Sequence, residues 1–389
     1  MKILVVAHES IFLGGANKAL FAILEYWKKN IDIQFDVLVP KQEGEFVEKL
    51  KSLGINVIVY KYYKVFSEKK NDGKNLIRHL NVLWKFLYNS LKSISIARKI
   101  EKNKYDLVYS NTRMTSIGIS IAKRLKIPHI MHIREFGNKE TIWGPSNIKR
   151  ICKYSSKIIV ITNALKDFLE SQVKVDKFCV SYDGVNYFPY KRVKNGMNGT
   201  INLLIAGRLA KAKGQDEAIK ALSILKQNKI NNIKLNIVGD LPGNTKYEYK
   251  YKEYLEDLVN KYNLNDDVIF HGNRSDLNEF RKKMDIELMC SECETFGWVT
   301  VEGMRSGLIV IGSNVGGTLE IINDNENGFL YEQGNPQDLA EKIEFVLKEK
   351  NENINKIREN AYYFANKNFT VEKNAKEIYE ILKNIERKI

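Results

Sequence analysis

Two carboxylates flank a turn within residues 291–304, and side chains of this type at this spacing can hold a polar ligand. The apolar run 286–289 before the turn has strand length, and the residues after it predict a helix that begins near Val299. Glu294 then lies in the loop, and Glu302 lies about one turn into the helix. The first amides of a helix attract anions, and carboxylates accept hydrogen bonds from a diol. We therefore expect a binding site at this turn.

Cations precede a second predicted helix, at residues 207–214. Gly207 and Arg208 follow an apolar run, and Lys213 comes just before the helix. Fixed cations beside a helix N-terminus suit a diphosphate. Gly14 and Gly15 lie between the first apolar run and its helix, where glycine lets a backbone approach a ligand closely.

His132 lies near the end of the predicted strand 129–133, followed by Arg134 and Glu135. Ligands of open parallel sheets gather at the carboxyl ends of the strands. His132 is therefore a candidate acid, base or substrate-orienting group. A structural histidine is the alternative. His129 lies on the opposite face of the same strand, so the two histidines do not form a metal-binding pair.

The elements that must position these residues alternate between strand and helix patterns, which predicts parallel sheets covered by helices. Strands are predicted at residues 2–7, 35–39, 56–60, 107–110, 129–133, 158–161 and 179–182. The alternation restarts with strands at residues 201–206, 234–238, 268–271, 286–291, 308–311 and 329–331. Residues 191–200 contain no apolar cluster and predict a linker. The predicted fold is α/β, with domains at residues 1–190 and 200–370.

The positive charge is confined to the first half of the chain. Residues 1–195 carry 35 Lys and Arg against 17 Asp and Glu, a net +18, whereas residues 196–389 carry 27 against 30, a net −3. This asymmetry predicts an anionic partner, either nucleic acid, a membrane surface or a phosphorylated substrate. A generally lysine-rich surface is the alternative. We expect no nucleic acid partner, because no nucleic-acid-binding motif is recognisable.

Residues 61–104 are the most basic block, with 12 Lys and Arg against 3 Asp and Glu. The block contains apolar residues at helical spacing, namely Leu76, Leu80, Leu83, Trp84, Leu87, Leu91 and Ile94. This stripe could face a domain core, as in an ordinary helix. It could instead lie on anionic lipid headgroups, because basic residues flank it and tyrosines precede it.

The remaining composition indicates a cytoplasmic protein. The first residues lack the pattern of a signal peptide, and no uncharged apolar run approaches the length of a membrane span. The four cysteines are few for 389 residues, which fits a reducing compartment. Cys290 and Cys293 have the spacing of a metal pair, but no second pair exists, so we expect no metal site.

Four motifs together resemble one half of the retaining nucleotide-sugar glycosyltransferases of family 4, of the kind that build bacterial surface polysaccharides. The motifs follow in the family's order: Gly-Arg-Leu and Lys-Gly within 207–214, Glu294-Thr-Phe-Gly with Glu302, Gly316-Gly317 with Glu320, and Asn-Gly-Phe-Leu at 327–330. Gly14-Gly15, His132 and Asp183-Gly-Val-Asn resemble the family's other half. The resemblance implies the GT-B fold, with two Rossmann-like domains whose parallel sheets face across a cleft. It also implies that a C-terminal helix, residues 374–389, packs on the first domain.

The resemblance also implies a role for each candidate residue. Arg208 and Lys213 would bind the donor diphosphate without a metal, Glu302 the ribose and Glu294 the transferred sugar. Backbone groups would complete the donor site, from Gly14, Gly15, Gly207, Phe296, Gly297, Trp298 and Val299. His132 would support the charge or a hydroxyl of the sugar near its anomeric carbon.

These observations favour an enzyme that extends a lipid-linked oligosaccharide at the inner face of the cell membrane. A soluble glycosyltransferase with a protein or small-metabolite acceptor is the alternative within the same chemistry. A catalytically silent GT-B protein that binds sugar nucleotides or an active partner is the alternative of another class. The retention of Arg208, Lys213, Glu294 and Glu302 argues against a silent protein.

Overall fold

The computed structural model describes residues 1–12, 15–69, 73–137, 141–142, 148–186, 199–241 and 246–386. The chain divides into two compact units. Unit 1 comprises residues 1–184 and 371–389, and unit 2 comprises residues 185–370. The division falls at Val185, whereas the sequence places a linker at 191–200, a segment that lies outside the described residues apart from Gly199 and Thr200.

Unit 1 is built from short apolar strands and amphipathic helices. Its strands are β1 (Lys2–Val6), β2 (Gln34–Val39), β3 (Asn56–Val59), β4 (Ser67–Glu68), β5 (Leu107–Ser110), β6 (His129–Ile133), β7 (Thr141–Ile142), β8 (Lys157–Val160) and β9 (Phe178–Val180). Its helices up to the boundary are α1 (Gly15–Asn30), α2 (Glu45–Ser52), α3 (Asn75–Ile100), α4 (Ile117–Leu125), α5 (Ile148–Tyr154) and α6 (Asn163–Glu170). The main sheet is parallel with the order β3-β2-β1-β5-β6-β8-β9, and β4 pairs with β7 separately.

Unit 2 repeats this architecture. Its strands are β10 (Ile201–Ala206), β11 (Ile233–Val238), β12 (Val268–Phe270), β13 (Ile286–Met289), β14 (Ile309–Ser313) and β15 (Phe329–Tyr331). Its helices are α7 (Gln215–Gln227), α8 (Lys246–Lys261), α9 (Leu277–Arg281), α10 (Trp298–Arg305), α11 (Thr318–Ile321), α12 (Pro336–Lys348) and α13 (Asn351–Asn368). The sheet is parallel, with the order β12-β11-β10-β13-β14-β15.

Both sheets have the strand order of the Rossmann fold, which confirms the predicted α/β class. In each sheet the order reverses beside the first strand, between β1 and β5 in unit 1 and between β10 and β13 in unit 2. Loops that follow two such strands diverge at the carboxyl edge and leave a crevice where ligands bind. Ligand-binding residues are therefore expected in the loops that follow these four strands.

The last helix of the chain, α14 (Val371–Glu386), belongs to unit 1. It packs on α1, and the Trp27 indole donates a hydrogen bond to the Ala375 carbonyl at 2.8 Å. Its apolar side completes the core under β1 and β2 with Ala375, Ile378 and Leu382. The resemblance implies this packing for residues 374–389, of which 387–389 lie outside the described residues.

Helix α3 does not turn its apolar stripe toward the core, so the interpretation as an ordinary core-facing stripe is wrong. Leu76 and Leu91 are 72% and 69% exposed, and Leu80, Leu83, Trp84 and Leu87 are exposed as well. The buried side of α3 carries Val82, Asn89, Ser93, Ile96 and Ile100. In the described part of the chain, no helix is both long and apolar enough to span a bilayer.

Candidate active site

Two loops meet at the point of unit 2 where the strand order reverses. Residues 207–214 follow β10 and residues 290–297 follow β13. The Glu292 amide donates to the Ala212 carbonyl at 3.0 Å. Gly214 has a φ of +68°, and a Cβ at this position would lie 2.0 Å from the Cys290 carbonyl oxygen. Gly214 is thus required both for its conformation and for the close contact of the two loops.

The loops bring Lys213 and Glu294 together. The Lys213 ammonium lies 2.7 Å from Glu294 Oε2, and the Ser291 hydroxyl donates to the same oxygen at 3.2 Å. Both ionic side chains are partly exposed, so a ligand can reach them. Arg208 lies in the same loop as Lys213 and is exposed, and its guanidinium forms no ion pair with the described residues. The Arg208 carbonyl accepts a hydrogen bond from Gln215 at 2.9 Å, which fixes the loop.

A glycine pair supports the loop that carries Glu294. Gly317 N–H donates to the Glu294 carbonyl at 2.8 Å. A Cβ on Gly316 would lie 2.3 Å from that carbonyl oxygen, and a Cβ on Gly317 would lie 2.5 Å from the Thr295 carbonyl oxygen. Only glycine allows this approach, so the pair positions the Glu294 backbone.

Helix α10 starts at Trp298 and has Gly297 as its N-cap, with a φ of +108°. The sequence predicts a start near Val299. Val301 N–H donates to the Gly297 carbonyl, and the amides of a first helical turn lack partners within the helix. Trp298 and Val299 are half-buried, whereas the Phe296 side chain is buried against Phe369 at 5.4 Å between ring centroids. Phe296 can therefore offer a ligand its backbone rather than its ring.

Glu302 is held by a buried arginine that sequence reasoning missed. Arg281 lies at the end of α9, and its guanidinium is 2.7 Å from Glu302 Oε2 and 2.9 Å from Glu287 Oε1. Arg281 and Glu287 are fully buried, whereas Glu302 is 22% exposed. Burial lowers the pKa of Arg281, but the two carboxylates outweigh it and raise that pKa overall. The sequence did contain a signal for a buried ion pair, because Glu287 is a charged residue inside the otherwise apolar run 286–289.

In unit 1, the described candidates lie at the carboxyl ends of β1 and β6. Gly15 is the first residue of α1, and Gly14 lies outside the described residues. His132 is fully buried on β6, and its Nδ1 is 2.6 Å from the Tyr109 hydroxyl and 3.3 Å from Arg134 Nη2. Arg134 also pairs with buried Asp183. Its Nε donates to the Asn111 side chain at 3.0 Å.

The hydrogen bonds of His132 indicate which of its two ring nitrogens carries the hydrogen. An arginine guanidinium can donate but cannot accept, so Nδ1 carries the lone pair and Nε2 carries the hydrogen. Burial, reinforced by the Arg134 charge, holds the pKa of His132 well below 6.5, so the ring is neutral. Nε2 is buried and has no hydrogen-bond partner among the described residues. His132 therefore has one buried N–H donor that none of the described residues accepts. By contrast, both ring nitrogens of His129 are bonded, to Ser110 and Ser155.

Two further titratable groups flank this network, and sequence reasoning assigned neither of them a catalytic or binding role. His8 follows β1, and burial, together with Lys64 and Arg134, lowers its pKa to about 3. Glu135 follows Arg134, and burial raises its pKa to about 6. Glu135 Oε1 is buried and has no hydrogen-bond partner within the described part of unit 1. Perturbed groups in such a position are typical of functional sites.

The buried histidines predict that unit 1 loses stability in mild acid. Burial lowers the pKa of His8, His129 and His132 in the folded state, to about 3 for the first two. The unfolded chain takes up their protons near pH 6.5, so their contribution is complete above this pH and declines below it. Each histidine should lower the free energy of unfolding by about 1.4 kcal/mol between pH 7.5 and 5.5. The raised pKa of Glu135 has the opposite effect and should increase the free energy of unfolding by about 1 kcal/mol over the same range.

Urea unfolding at pH 7.5 and 5.5 measures this difference. We expect a loss of about 3 kcal/mol. His79 is exposed on α3, and His79→Gln should leave the loss unchanged. A stability that stays constant between these pH values would show that the histidines are not buried as neutral groups.

Known proteins match most of this chain. Glycosyltransferase Family 4 matches residues 13–187, and Glycosyl transferases group 1 matches residues 189–364. An uncharacterised glycosyltransferase of Methanocaldococcus jannaschii is 30% identical over 352 residues, which cover 86% of this chain and 92% of that protein. The capsular polysaccharide biosynthesis glycosyltransferase CapM of Staphylococcus aureus is 27% identical over 207 residues, which cover 50% and 52%.

A solved structure shows the same fold at lower identity. Anabaena HepE in complex with UDP is 22% identical and gives a TM-score of 0.80 over 99% of this chain and 100% of that one. The likeness establishes a GT-B fold of two Rossmann-like domains. Together with the two family models and the Methanocaldococcus jannaschii relative, the fold shows that the chain belongs to the family 4 glycosyltransferases.

Proposed function

We propose that the protein transfers a hexose-type sugar from a nucleotide-diphosphate sugar to an acceptor, with retention of anomeric configuration and without a metal ion. The observation that carries this proposal is the contact of Lys213 with Glu294 at the point where the strand order of unit 2 reverses. A cation there is suited to a diphosphate, and a carboxylate beside it is suited to sugar hydroxyls.

Cleavage of the bond between the anomeric carbon and the diphosphate leaves a cationic sugar and an anionic leaving group. Arg208 and Lys213 stabilise the leaving group, because preorganised cations act most strongly where charge develops. Backbone groups of Gly207, and of residues 296–299 at the start of α10, complete the phosphate and sugar contacts. In unit 1, His132 would donate from Nε2 to a sugar hydroxyl, and the family resemblance assigns backbone contacts with the donor to Gly14 and Gly15.

The two glutamates contact different parts of the donor. Glu302 binds the ribose hydroxyls, and Arg281 holds its carboxylate in place before the ligand arrives. Glu294 contacts the transferred sugar, and Lys213 orients it. A carboxylate held by a fixed cation loses less conformational freedom when it binds, which favours affinity.

We expect Glu302→Gln and Glu294→Gln to alter different steps. Glu302→Gln should weaken nucleotide binding by about tenfold or more and leave kcat nearly unchanged, because charged hydrogen bonds contribute about 1.5–3 kcal/mol. Glu294→Gln should lower kcat and leave nucleotide affinity nearly unchanged. Calorimetric titration with the nucleotide and steady-state kinetics measure the two effects. Glu292→Gln, on an exposed residue of the same loop, is the matched control. Equal effects of both variants on affinity would contradict this division.

The acceptor we propose is a lipid-linked oligosaccharide in the synthesis of a bacterial surface polysaccharide. The enzyme would then bind the inner face of the cell membrane through its basic residues 61–104. The exposed stripe of α3 supports this proposal, as does the similarity to CapM, a capsular polysaccharide biosynthesis glycosyltransferase. Transfer of the sugar to a soluble acceptor would replace the proposal of a lipid-linked acceptor.

A screen of UDP-, GDP- and ADP-sugars tests the donor class. A ligand of the folded state raises its apparent stability, so the correct donor should raise Tm. A UDP-sugar is the first choice, because HepE has been crystallised with UDP. Donor hydrolysis should persist in EDTA if no metal takes part. A sugar nucleotide that raises Tm but is neither hydrolysed nor transferred would favour the catalytically silent alternative.

A further inference from the structure

The exposed stripe of α3 continues into a basic cavity. Leu76, Leu80, Leu83, Leu87 and Leu91 recur at intervals of three or four residues, so they share one helix face. They are exposed together with Trp84, whose ring lies 5.4 Å from that of Tyr63. A contiguous apolar face of this kind on a soluble unit marks an interaction surface.

The cavity lies between α3, α4 and α5 and has a volume of about 470 Å³. Four cations line it, Arg98, Lys123, Arg124 and Arg150, against one carboxylate, Glu101. No ion pair of Arg98, Lys123 or Arg124 occurs among the described residues. The lining therefore favours an anionic ligand.

Neutral contacts hold two of these cations in place. The Arg124 guanidinium donates to Ser93 Oγ at 2.7 Å and to the Ser90 carbonyl at 3.0 Å. The Arg150 guanidinium lies 4.5 Å from the ring centroid of Phe86. Neither contact of Arg124 neutralises its charge, so this guanidinium keeps its attraction for an anion. Because the contacts also fix the side chains, less conformational entropy is lost when a ligand binds.

The stripe and the cavity occupy the same side of α3. Ile94 and Arg98 line the cavity and follow Leu87 and Leu91 at intervals of four, three and four residues. The buried side of the helix, which includes Val82 and Ile96, lies on the opposite face. One continuous surface therefore runs from exposed leucines to clustered cations.

We propose that this cavity binds the phosphate headgroup of an anionic phospholipid while the α3 stripe enters the bilayer interface. The inference rests on the proposed membrane attachment and adds a defined headgroup site to it. Anionic lipid is the occupant that matches both parts, because it joins a phosphate to an apolar surface. A free phosphate would use the cations and leave the leucines exposed to water. A protein partner would account for the leucines but not for the surplus of cations.

Vesicle binding by the full chain tests the proposal. Phosphatidylcholine vesicles with and without phosphatidylglycerol are mixed with the protein and floated. We expect binding to the anionic vesicles that weakens with salt. Arg98→Glu with Lys123→Glu should lower the affinity about tenfold or more, because each basic residue at an anionic surface contributes to binding. Lys28→Glu with Lys51→Glu changes the net charge equally on exposed residues of α1 and α2 and should change affinity less than about twofold.

A second pair of variants isolates the stripe. Leu80→Ser with Leu87→Ser should weaken vesicle binding and leave the response of Tm to inorganic phosphate unchanged. The proposal is overturned if wild-type protein does not bind the anionic vesicles, or if both charge-reversal pairs weaken binding equally. It is also overturned if the cavity variant loses only the response to inorganic phosphate. Arg98→Gln with Lys123→Gln replaces the charge reversal if that pair does not fold.

Donor hydrolysis without vesicles separates this proposal from the proposed function. The cavity variants should retain that activity, since none of their positions belongs to the candidate active site. If wild-type protein binds vesicles and the cavity pair does not, the headgroup site stands even where no nucleotide sugar is hydrolysed.

Discussion

Lys213→Ala should lower kcat for sugar transfer by about 10²- to 10³-fold, the cost of removing one preorganised group that stabilises developing charge. Lys213 lies in a short 3-10 helix that ends at Gly214, and its ammonium is 2.7 Å from Glu294. In the proposed mechanism, its removal takes the positive charge from the leaving diphosphate and also releases Glu294, the carboxylate assigned to the transferred sugar. Single-turnover kinetics with the donor identified by the screen measure the effect on chemistry directly.

Lys211→Ala is the matched control, because Lys211 lies in the same 3-10 helix and is exposed. It should retain activity within about threefold, since an exposed charge contributes little through solvent. The double variant of Lys213 and Glu294 should lose less than the product of the single losses, because the two residues form one ion pair. Equal activity of Lys213→Ala and Lys211→Ala would remove Lys213 from the proposed mechanism.

Arg281→Met should destabilise unit 2 by about 3–5 kcal/mol, because it leaves the buried carboxylate of Glu287 without its partner. Arg281 joins α9, β13 and α10 through Glu287 and Glu302. Lys282→Met is the control at the next position. Lys282 is exposed and pairs with Glu279 on the surface, so it should change stability by less than about 1 kcal/mol. Urea unfolding measures both variants.

A second substitution separates lost charge from lost packing. Adding Glu287→Leu to Arg281→Met should recover part of the stability, since apolar residues often replace a buried ion pair without loss. Nucleotide affinity should not recover, because Glu302 still lacks Arg281. If the double variant is no more stable than the single variant, the buried carboxylate is not the source of the destabilisation.

The two parallel sheets could be predicted from the sequence because each of their strands is a short, mainly apolar run bounded by turn residues, unlike β4 and β7, which were not predicted. β5, β6, β10 and β15 have the predicted bounds, and most others differ by one or two residues at an end. Strand ends depend on hydrogen bonds with neighbours, which local patterns do not contain. The order of strands in each sheet was implied only by the family resemblance.

The site shows where local patterns fail. Loop residues such as Lys213 and Glu294 could be identified because their glycine and helix contexts are local. Arg281 could not, since it precedes Lys282 and Lys283 in a polar segment and nothing local shows which cation becomes buried. The network around His132 was missed for a similar reason, because Tyr109 is 23 positions from His132 and Asp183 is 49 positions from its partner Arg134.

Helix α3 illustrates a different failure. The helical spacing of its apolar residues was predicted correctly, but periodicity identifies an apolar face and not what covers that face. The side that packs in unit 1 includes the polar residue Asn89, whose amide bonds both backbone groups of Tyr63. A polar residue satisfied in this way can be buried. The more apolar side was therefore left at the surface.

The position of α14 determines the order in which the chain can complete its folding. Unit 1 needs Ala375, Ile378 and Leu382 to close its core, yet the ribosome makes these residues after all of unit 2. Domains often fold in the order of their synthesis, but here the second unit can finish before the first. Until α14 emerges, the nascent first unit exposes the apolar surface around Trp27, and a chaperone would have its longest opportunity to bind there.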